Sequence, residues 1–352
     1  MIDAHKEVTM MPNDSGKLPL HIAIRRRGNP ATTTALIQQL IQANGKSCGI
    51  GIVGETPQDK LNLPLHELLS SQTPKGIDLD LCGILMLEAY PDAVKEKRGS
   101  SESFPLELGL IAKAPDQFMM MMIDIFPAAA KETPADQKFP TILHWALLNN
   151  KPADMILKLI NAYPEAAQIQ DGGKRLPIHI CCNNGDRTSI NIIQRLLQLF
   201  PGCLLIQDST GNTPVHAACE HMNQNLSHVA GIMIECPDAA AACRIQNRQN
   251  NLPLHCICEQ KYPAEDVIMY MMDIFPDSLK QKSKTGNLPL HSAIERGDVT
   301  AVKVVKKMLK KFPGSMAIKD KDGEFFYFNT IIFFLLVFTD ASFFFTFPYL
   351  CR

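Results

Sequence analysis

The sequence predicts an all-α fold, a solenoid of about eight helix–turn–helix repeats over residues 17–323 of 352. Three observations predict it. Eight segments share one phrase: KLPLHIAI (17–24), NLPLHELL (62–69), SFPLELGL (103–110), PTILHWAL (140–147), RLPIHICC (175–182), NTPVHAAC (212–219), NLPLHCIC (251–258) and NLPLHSAI (287–294). Seven carry a histidine in one slot, namely His21, His66, His144, His179, His216, His255 and His291. The third segment has Glu107 there, and the fourth replaces the inner proline with Ile142. A second phrase (YPDAV, FPAAA, YPEAA, FPGCL, CPDAA, FPDSL, FPGSM) runs in phase, its prolines 36 to 39 residues apart from Pro91 to Pro313. Polar stretches such as DGG (171–173), DSTGN (208–212) and KTGN (284–287) separate each second phrase from the next first one. Two independent markers with one period identify a repeat architecture.

Each element follows from local chemistry. Proline in LPLH suits the first helical turn, where its fixed φ helps and its missing N–H is not needed. Polar residues or glycine about eight residues on end this first helix, as in CNNGD (182–186) and ERGD (295–298). A second helix follows with apolar residues at helical spacing, as in INIIQRLLQLF (190–200) and VIMYMMDIF (267–275). The YP or FP step stops it, because the residue before proline is pushed out of the α region. An extra turn is expected over the alanine-rich stretch after that proline. The polar turn that closes the unit needs a positive φ, which its glycines supply.

These residues resemble the ankyrin-repeat family, whose signature G-x-T-P-L-H-x-A is matched by Gly211-Asn212-Thr213-Pro214-Val215-His216-Ala217-Ala218. Most units have leucine in place of the family's threonine, and the period is a few residues longer than the usual 33. The first unit has the weakest second half, and the Glu107 and Ile142 units depart furthest from the pattern. The resemblance implies that the repeat histidine is structural, hydrogen-bonding neighbouring backbone across the turn. It also implies a continuous core along the array and a concave face that binds a protein partner.

The bulk numbers agree with such a module. A net charge of −1 gives no reason to expect a nucleic-acid partner. The 11 cysteines fall mostly inside apolar runs and form no secretory framework. Residues 1–16 lack an apolar leader core and are expected to be a disordered tail. Reduced thiols in the cytoplasm or nucleus are the simplest expectation.

Sharper motifs compete with this reading. GIGIVG (49–54) satisfies G-x-G-x-x-G, but the helix-patterned run TTALIQQLIQA (33–43) precedes it where a nucleotide site needs a strand. Gly45-Lys46-Ser47 lacks the earlier glycine of a P-loop, since Leu40 stands there. Zinc needs four ligands converging on one point, which histidines one per repeat do not provide. Two and three residues past the histidine, cysteine alternates with Ala, Ile and Leu, as expected of helix–helix seams. Cys256, in a slot shared with Ile22, Glu67, Trp145, Ile180, Ala217 and Ser292, is expected to be partly exposed and is the one candidate for a reactive thiol. The run Phe118–Met122 is expected to be soft core packing rather than a methionine surface. Lys303, Lys306, Lys307 and Lys310 share one face of the last second helix, a solvated stripe that can also meet an acidic partner or anionic lipid.

After Gly323 the register requires a ninth LPLH, and the chain instead turns phenylalanine-rich. The apolar stretch Phe325–Phe338 is 14 residues, short of the roughly 20 a spanning helix needs. Residues 324–352 are open to three readings: a membrane anchor, a degenerate cap, or sequence foreign to the array.

The leading functional expectation is a non-enzymatic protein-binding scaffold or adaptor, a monomeric array with no cofactor, metal or catalytic residue. A membrane-tethered form held by residues 325–351 is the alternative, and a thiol- or metal-dependent enzyme the third reading. Repeat phase selects the expected contact residues. On the turns they are Lys174, Arg175, Ser209, Asn212, Arg248, Asn250, Lys284 and Asn287. At the ends of the first helices they are Asn183, Asn184, Glu220, His221, Glu259, Gln260, Glu295 and Arg296.

Overall fold

The computed structural model describes residues 6–51, 62–70, 75–98, 103–132, 139–184, 190–220, 236–260, 264–295 and 299–318. Every element among the described residues is helical, and none is a strand. Each of the eight phrase segments begins a first helix. They are Pro19–Arg25, Pro64–Leu68, Pro105–Ala112, Ile142–Leu148, Pro177–Asn184, Pro214–Glu220, Pro253–Cys258 and Pro289–Glu295. Proline explains seven of these starts: Leu18, Leu63, Phe104 and Leu252 are held extended before it, with ψ between 156° and 160°. The fourth helix lacks that proline and starts by a different route. Thr141 caps it, its hydroxyl accepting from the His144 N–H at 3.3 Å.

Second helices such as Leu79–Ala89, Asp116–Ile125, Ala153–Ala162 and Glu265–Ile274 bury one recurring stripe. It reads Phe118, Met119, Met122, Ile123 in one and Met155, Ile156, Leu159, Ile160 in the next. In Ile190–Leu199 it is Ile192, Ile193, Leu196, Leu197. Two adjacent residues repeated one turn later cover one side of a helix, so each second helix presents a single apolar strip to its neighbours. Phe118, Met119 and Met122 are in this core, as expected of the methionine run. In Val299–Lys311 the strip is Val304, Val305, Met308 and Leu309, and Lys303, Lys306, Lys307 and Lys310 lie exposed on the other side.

The aromatic residue before six of the seven second-phrase prolines breaks the helix in one conformation: Tyr90, Phe126, Tyr163, Phe200, Phe275 and Phe312 have φ from −148° to −135° and ψ from 75° to 83°. The extra turn expected after it is a five-residue 3-10 helix, as in Pro91–Lys95, Pro127–Lys131 and Pro201–Leu205. Its third and fourth residues are buried: Ala93 and Val94, Ala129 and Ala130, Cys203 and Leu204. The first unit builds the same turn, Gly45–Gly49, without proline, using Asn44 as its cap. The segment before residue 17, expected to be a disordered tail, contains a 3-10 helix, Lys6–Met10, with Thr9 buried.

The chain divides into two compact units, Met1–Ile169 and Gln170–Arg352. The first holds the first four phrase segments, the second the last four.

Candidate functional site

The repeat histidines form the internal framework. The Leu63, Leu176, Leu252 and Leu288 N–H groups donate to Nδ1 of His66, His179, His255 and His291 at 2.9–3.1 Å. Where threonine is present its hydroxyl joins Nδ1, at 2.8 Å for Thr141–His144 and 2.9 Å for Thr213–His216. The backbone bond does not depend on leucine, since the Thr213 N–H also donates to His216 Nδ1, at 3.2 Å. With Nδ1 accepting, Nε2 carries the proton and donates to a carbonyl of the following segment: His66 to Glu96 at 2.8 Å, His179 to Ile206 at 3.2 Å, His216 to Asn251 at 3.0 Å and His255 to Gln281 at 3.2 Å, while His21 Nε2 bonds Asn62 O at 3.1 Å. Burial lowers the pKa of His21 and His179, and brings His216 and His255 down to about 4. His179, His216 and His255, held neutral with both ring nitrogens engaged, tie neighbouring repeats together and have no lone pair left for a metal or a substrate proton.

Turn tips close the second unit's repeats at 171–175, 208–212, 247–251 and 283–287. In the first three, an Asp or Asn opens the tip and its Oδ1 accepts two backbone N–H groups: Asp171 from Gly173 and Arg175, Asp208 from Thr210 and Asn212, Asn247 from Gln249 and Asn251. Ser283 opens the fourth, accepting from the Asn287 N–H at 3.1 Å. The fourth residue of each tip is left-handed: Lys174 (φ 58°), Gly211 (83°), Asn250 (56°) and Gly286 (87°). In DGGKR the positive φ therefore falls on Lys174, whereas the glycine pair before it was the expected place. Consecutive tips are joined by backbone bonds: Ser209 N–H to Gly173 O at 2.7 Å, Arg248 N–H to Thr210 O at 3.1 Å, and Lys284 N–H to Gln249 O at 2.7 Å.

First helices are linked through a second register. The residue four past the histidine slot meets the residue one past the slot in the next segment. Arg25 Nη2 donates to Glu67 Oε1 at 2.8 Å, Cys256 Sγ to Glu220 Oε1 at 3.7 Å, and Ser292 Oγ to Glu259 Oε1 at 3.3 Å. This overturns the expected exposure of Cys256, which is 2% exposed. The previous first helix covers its slot, and Glu67, Ala217 and Ser292 are buried in the same way. Burial, reinforced by Glu220 nearby, pushes the Cys256 thiol well above its usual pKa. Cys181, Cys182, Cys219 and Cys258 fill buried seams as expected, and burial raises the pKa of Cys181, Cys182 and Cys219. No group of three His, Cys, Asp or Glu residues among the described ones has the arrangement to hold a metal ion.

The other motifs resolve equally plainly. The start of GIGIVG follows the helix Pro30–Ala43, and Gly45–Gly49 is a 3-10 turn whose Ser47 hydroxyl bonds Asn44 O at 2.8 Å. Residues 52–54, like the tail from 319, lie outside the described residues.

The expected contact residues separate into three groups. Lys174, Arg248, Asn250, Glu259 and Lys284 are exposed. Arg175, Asn183, Asn184, Ser209, Asn212, Glu220 and Gln260 are half-buried. Arg175 pairs with Asp171 at 2.7 Å, and Asn212 bridges Glu220 (3.0 Å) and Asn247 (2.8 Å) below the tips. Asn287 is buried at 9% exposure, beneath its tip instead of on it. His221, Arg296 and the Glu295 side chain lie outside the described residues. Repeat phase overlooked Lys282, exposed beside the last tip, and Ile111, 58% exposed in the first unit. Ile111 holds the same position, four past the slot, as Glu220 and Glu259, so the register that selected those two also points to it.

Residues 143–236 match the family model described as ankyrin repeats (3 copies). Among solved structures, the ankyrin repeat domain of Bcl-3, described as a unique member of the IkappaB protein family, is 16% identical; the match covers 63% of this chain and 92% of that one, with a TM-score of 0.46. No curated protein matches. The matched residues take in two of the phrase segments whole and most of a third, and the same phrase, histidine bonds and helix pairs recur on either side: residues 143–236 are ankyrin repeats, and the segments that flank them repeat their pattern.

Proposed function

We propose that the protein is a non-enzymatic scaffold or adaptor that holds a protein partner on its turn tips and the exposed edges of its first helices. Ankyrin repeats generally mediate protein–protein interaction. One observation carries the reading for this chain. The residues that recur from unit to unit, the prolines, histidines and seam residues, are buried and occupied with one another. Those that vary, such as Lys174, Arg248, Glu259 and Lys284, stand exposed on a braced frame. A frame that repeats and a surface that varies suit recognition of another macromolecule. A monomeric array in the cytoplasm or nucleus fits the buried, protonated thiols.

The test is cross-linking of the full chain to its partners in cells, followed by reconstitution with one purified partner. Changing Asn183, Asn184 and Glu259 together to lysine should abolish binding with the helical circular dichroism unchanged. Undiminished binding would place the interface elsewhere.

The phenylalanine-rich residues 325–351 support a second reading, tethering to a membrane. No helix among the described residues is long and apolar enough to cross one. Equal membrane partition of the full chain and of a chain ending at Gly323 would sink this reading.

A further inference from the structure

We infer that the turn tips of the second unit are a docking surface for an acidic segment of the partner protein. The inference rests on the proposed binding face and adds the chemistry of what is bound.

Three cations stand along this row: Lys174, Arg248 and Lys284 are exposed, and their side chains make no ion pair among the described residues. Lys282 is exposed beside them. The row's own carboxylates point the other way. Asp171 and Asp208 accept the N–H groups of their turns, and Asp171 also pairs with Arg175. The cations are therefore left for something outside the unit.

Their spacing is set in advance. Arg248 and Lys284 both occupy the second position of their tips, and both donate their backbone N–H to the tip before. Lys174 is fixed by its left-handed φ and by its N–H bond to Asp171 O at 2.8 Å. Cations on a braced backbone need little further ordering to meet a carboxylate, which favours binding.

The surroundings select a peptide over other polyanions. Glu220 and Glu259 carry negative charge on the first-helix edge of this face, where a continuous phosphate backbone would be repelled. The tips have no aromatic ring on which bases could stack and no exposed apolar side chain to enter a bilayer. A segment whose glutamates or aspartates meet the tips, with neutral or basic residues facing Glu259, fits both edges.

Fluorescence anisotropy of the full chain tests this with a labelled peptide of alternating glutamate and glycine. The comparison probes are its glutamine counterpart, a single-stranded DNA of similar charge and phosphatidylserine vesicles. The variant is Lys174→Asn/Arg248→Gln/Lys284→Gln. These side chains make no bond among the described residues, and asparagine tolerates the left-handed φ at 174. The expected result is salt-sensitive binding of the glutamate peptide that the triple variant weakens about tenfold, and that Lys95→Gln/Lys158→Gln leaves unchanged. Equal binding by the triple variant, equal binding of the glutamine peptide, or tighter binding of DNA or vesicles would overturn the inference. A natural partner then separates the two claims. Capture that survives the triple variant but fails with the Asn183, Asn184 and Glu259 changes overturns the acidic segment and keeps the face. Capture that survives both sets overturns both.

Discussion

Cys256 is decided by a residue 36 positions away. Its Sγ points at Glu220 Oε1, 3.7 Å distant, and the previous first helix closes over it. A thiol becomes nucleophilic when its thiolate is stabilised, and here burial and then the Glu220 carboxylate oppose the thiolate. Cys236, half-buried, is the most accessible of the described cysteines. Native labelling with a water-soluble disulfide reagent at pH 8 should therefore give the same fast-reacting thiol count in Cys256→Ser as in the parent. A count lower by one would restore Cys256 as a reactive group. Glu107 shows the opposite accommodation, a carboxyl in the histidine slot at 5% exposure. Burial raises its pKa.

At the scale of the element, two glycines show where backbone room is essential. A Cβ on Gly83 would lie 2.4–2.6 Å from the Phe118 ring, which is fully buried in the next second helix. Glycine to alanine inside a helix normally stabilises by about 1 kcal/mol. Overpacking a filled core costs about 1–3 kcal/mol, and a clash this close puts Gly83→Ala at the upper end. The variant should thus melt at a lower temperature, and adding Phe118→Leu should recover part of the loss because the new methyl then fills vacated space. A melting temperature unchanged in Gly83→Ala would show that the ring yields freely. Gly211 is constrained twice: its φ is 83°, and a Cβ would approach the Arg248 backbone nitrogen to 2.7 Å. Since that nitrogen donates to Thr210 O, Gly211→Ala should open the tip ladder and speed hydrogen exchange at the Arg248 amide at least tenfold, an opening cost above about 1.4 kcal/mol. Exchange as slow as in the parent would mean the tips do not brace each other. The sequence is legible at this scale wherever one residue type acts on its own backbone. Proline marks helix starts and stops, and the residue after Thr, Leu or Phe in each phrase begins a helix where expected. Lys174 escaped because either neighbouring glycine satisfies a positive φ as well on paper; the Asp171 bonds select the position. The burial of Cys256 escaped because it depends on the preceding unit, a contact that no local pattern records.

The whole molecule multiplies what one histidine does. His216 and His255 have pKa values near 4 in the fold, against about 6.5 in an unfolded chain, and those of His21 and His179 are also lowered. Below pH 6.5 the unfolded chain takes up protons that the folded one refuses, so the unfolded state gains as pH falls. The histidine contribution is therefore complete above pH 6.5 and is lost on the way to about pH 4. For His216 and His255 it reaches at most about 3 kcal/mol each, and contributions from separate units add. Asp171 belongs to a lower window. Burial would raise its pKa, but the Arg175 side chain and two backbone N–H groups hold it down, so its stabilisation is full above its unfolded pKa near 3.9 and fades below it. Repeat arrays need not unfold in one step, so the urea midpoint of each transition should be followed by circular dichroism between pH 7.5 and 4.5. The midpoints should fall steadily below pH 6.5. His255→Gln should be less stable than the parent at pH 7.5, because Gln281 O and the Leu252 N–H lose their shared partner. It should also show a flatter pH dependence, because one titrating group is gone. Parent midpoints independent of pH across this range, or a His255→Gln slope equal to the parent's, would refute the neutral-histidine framework.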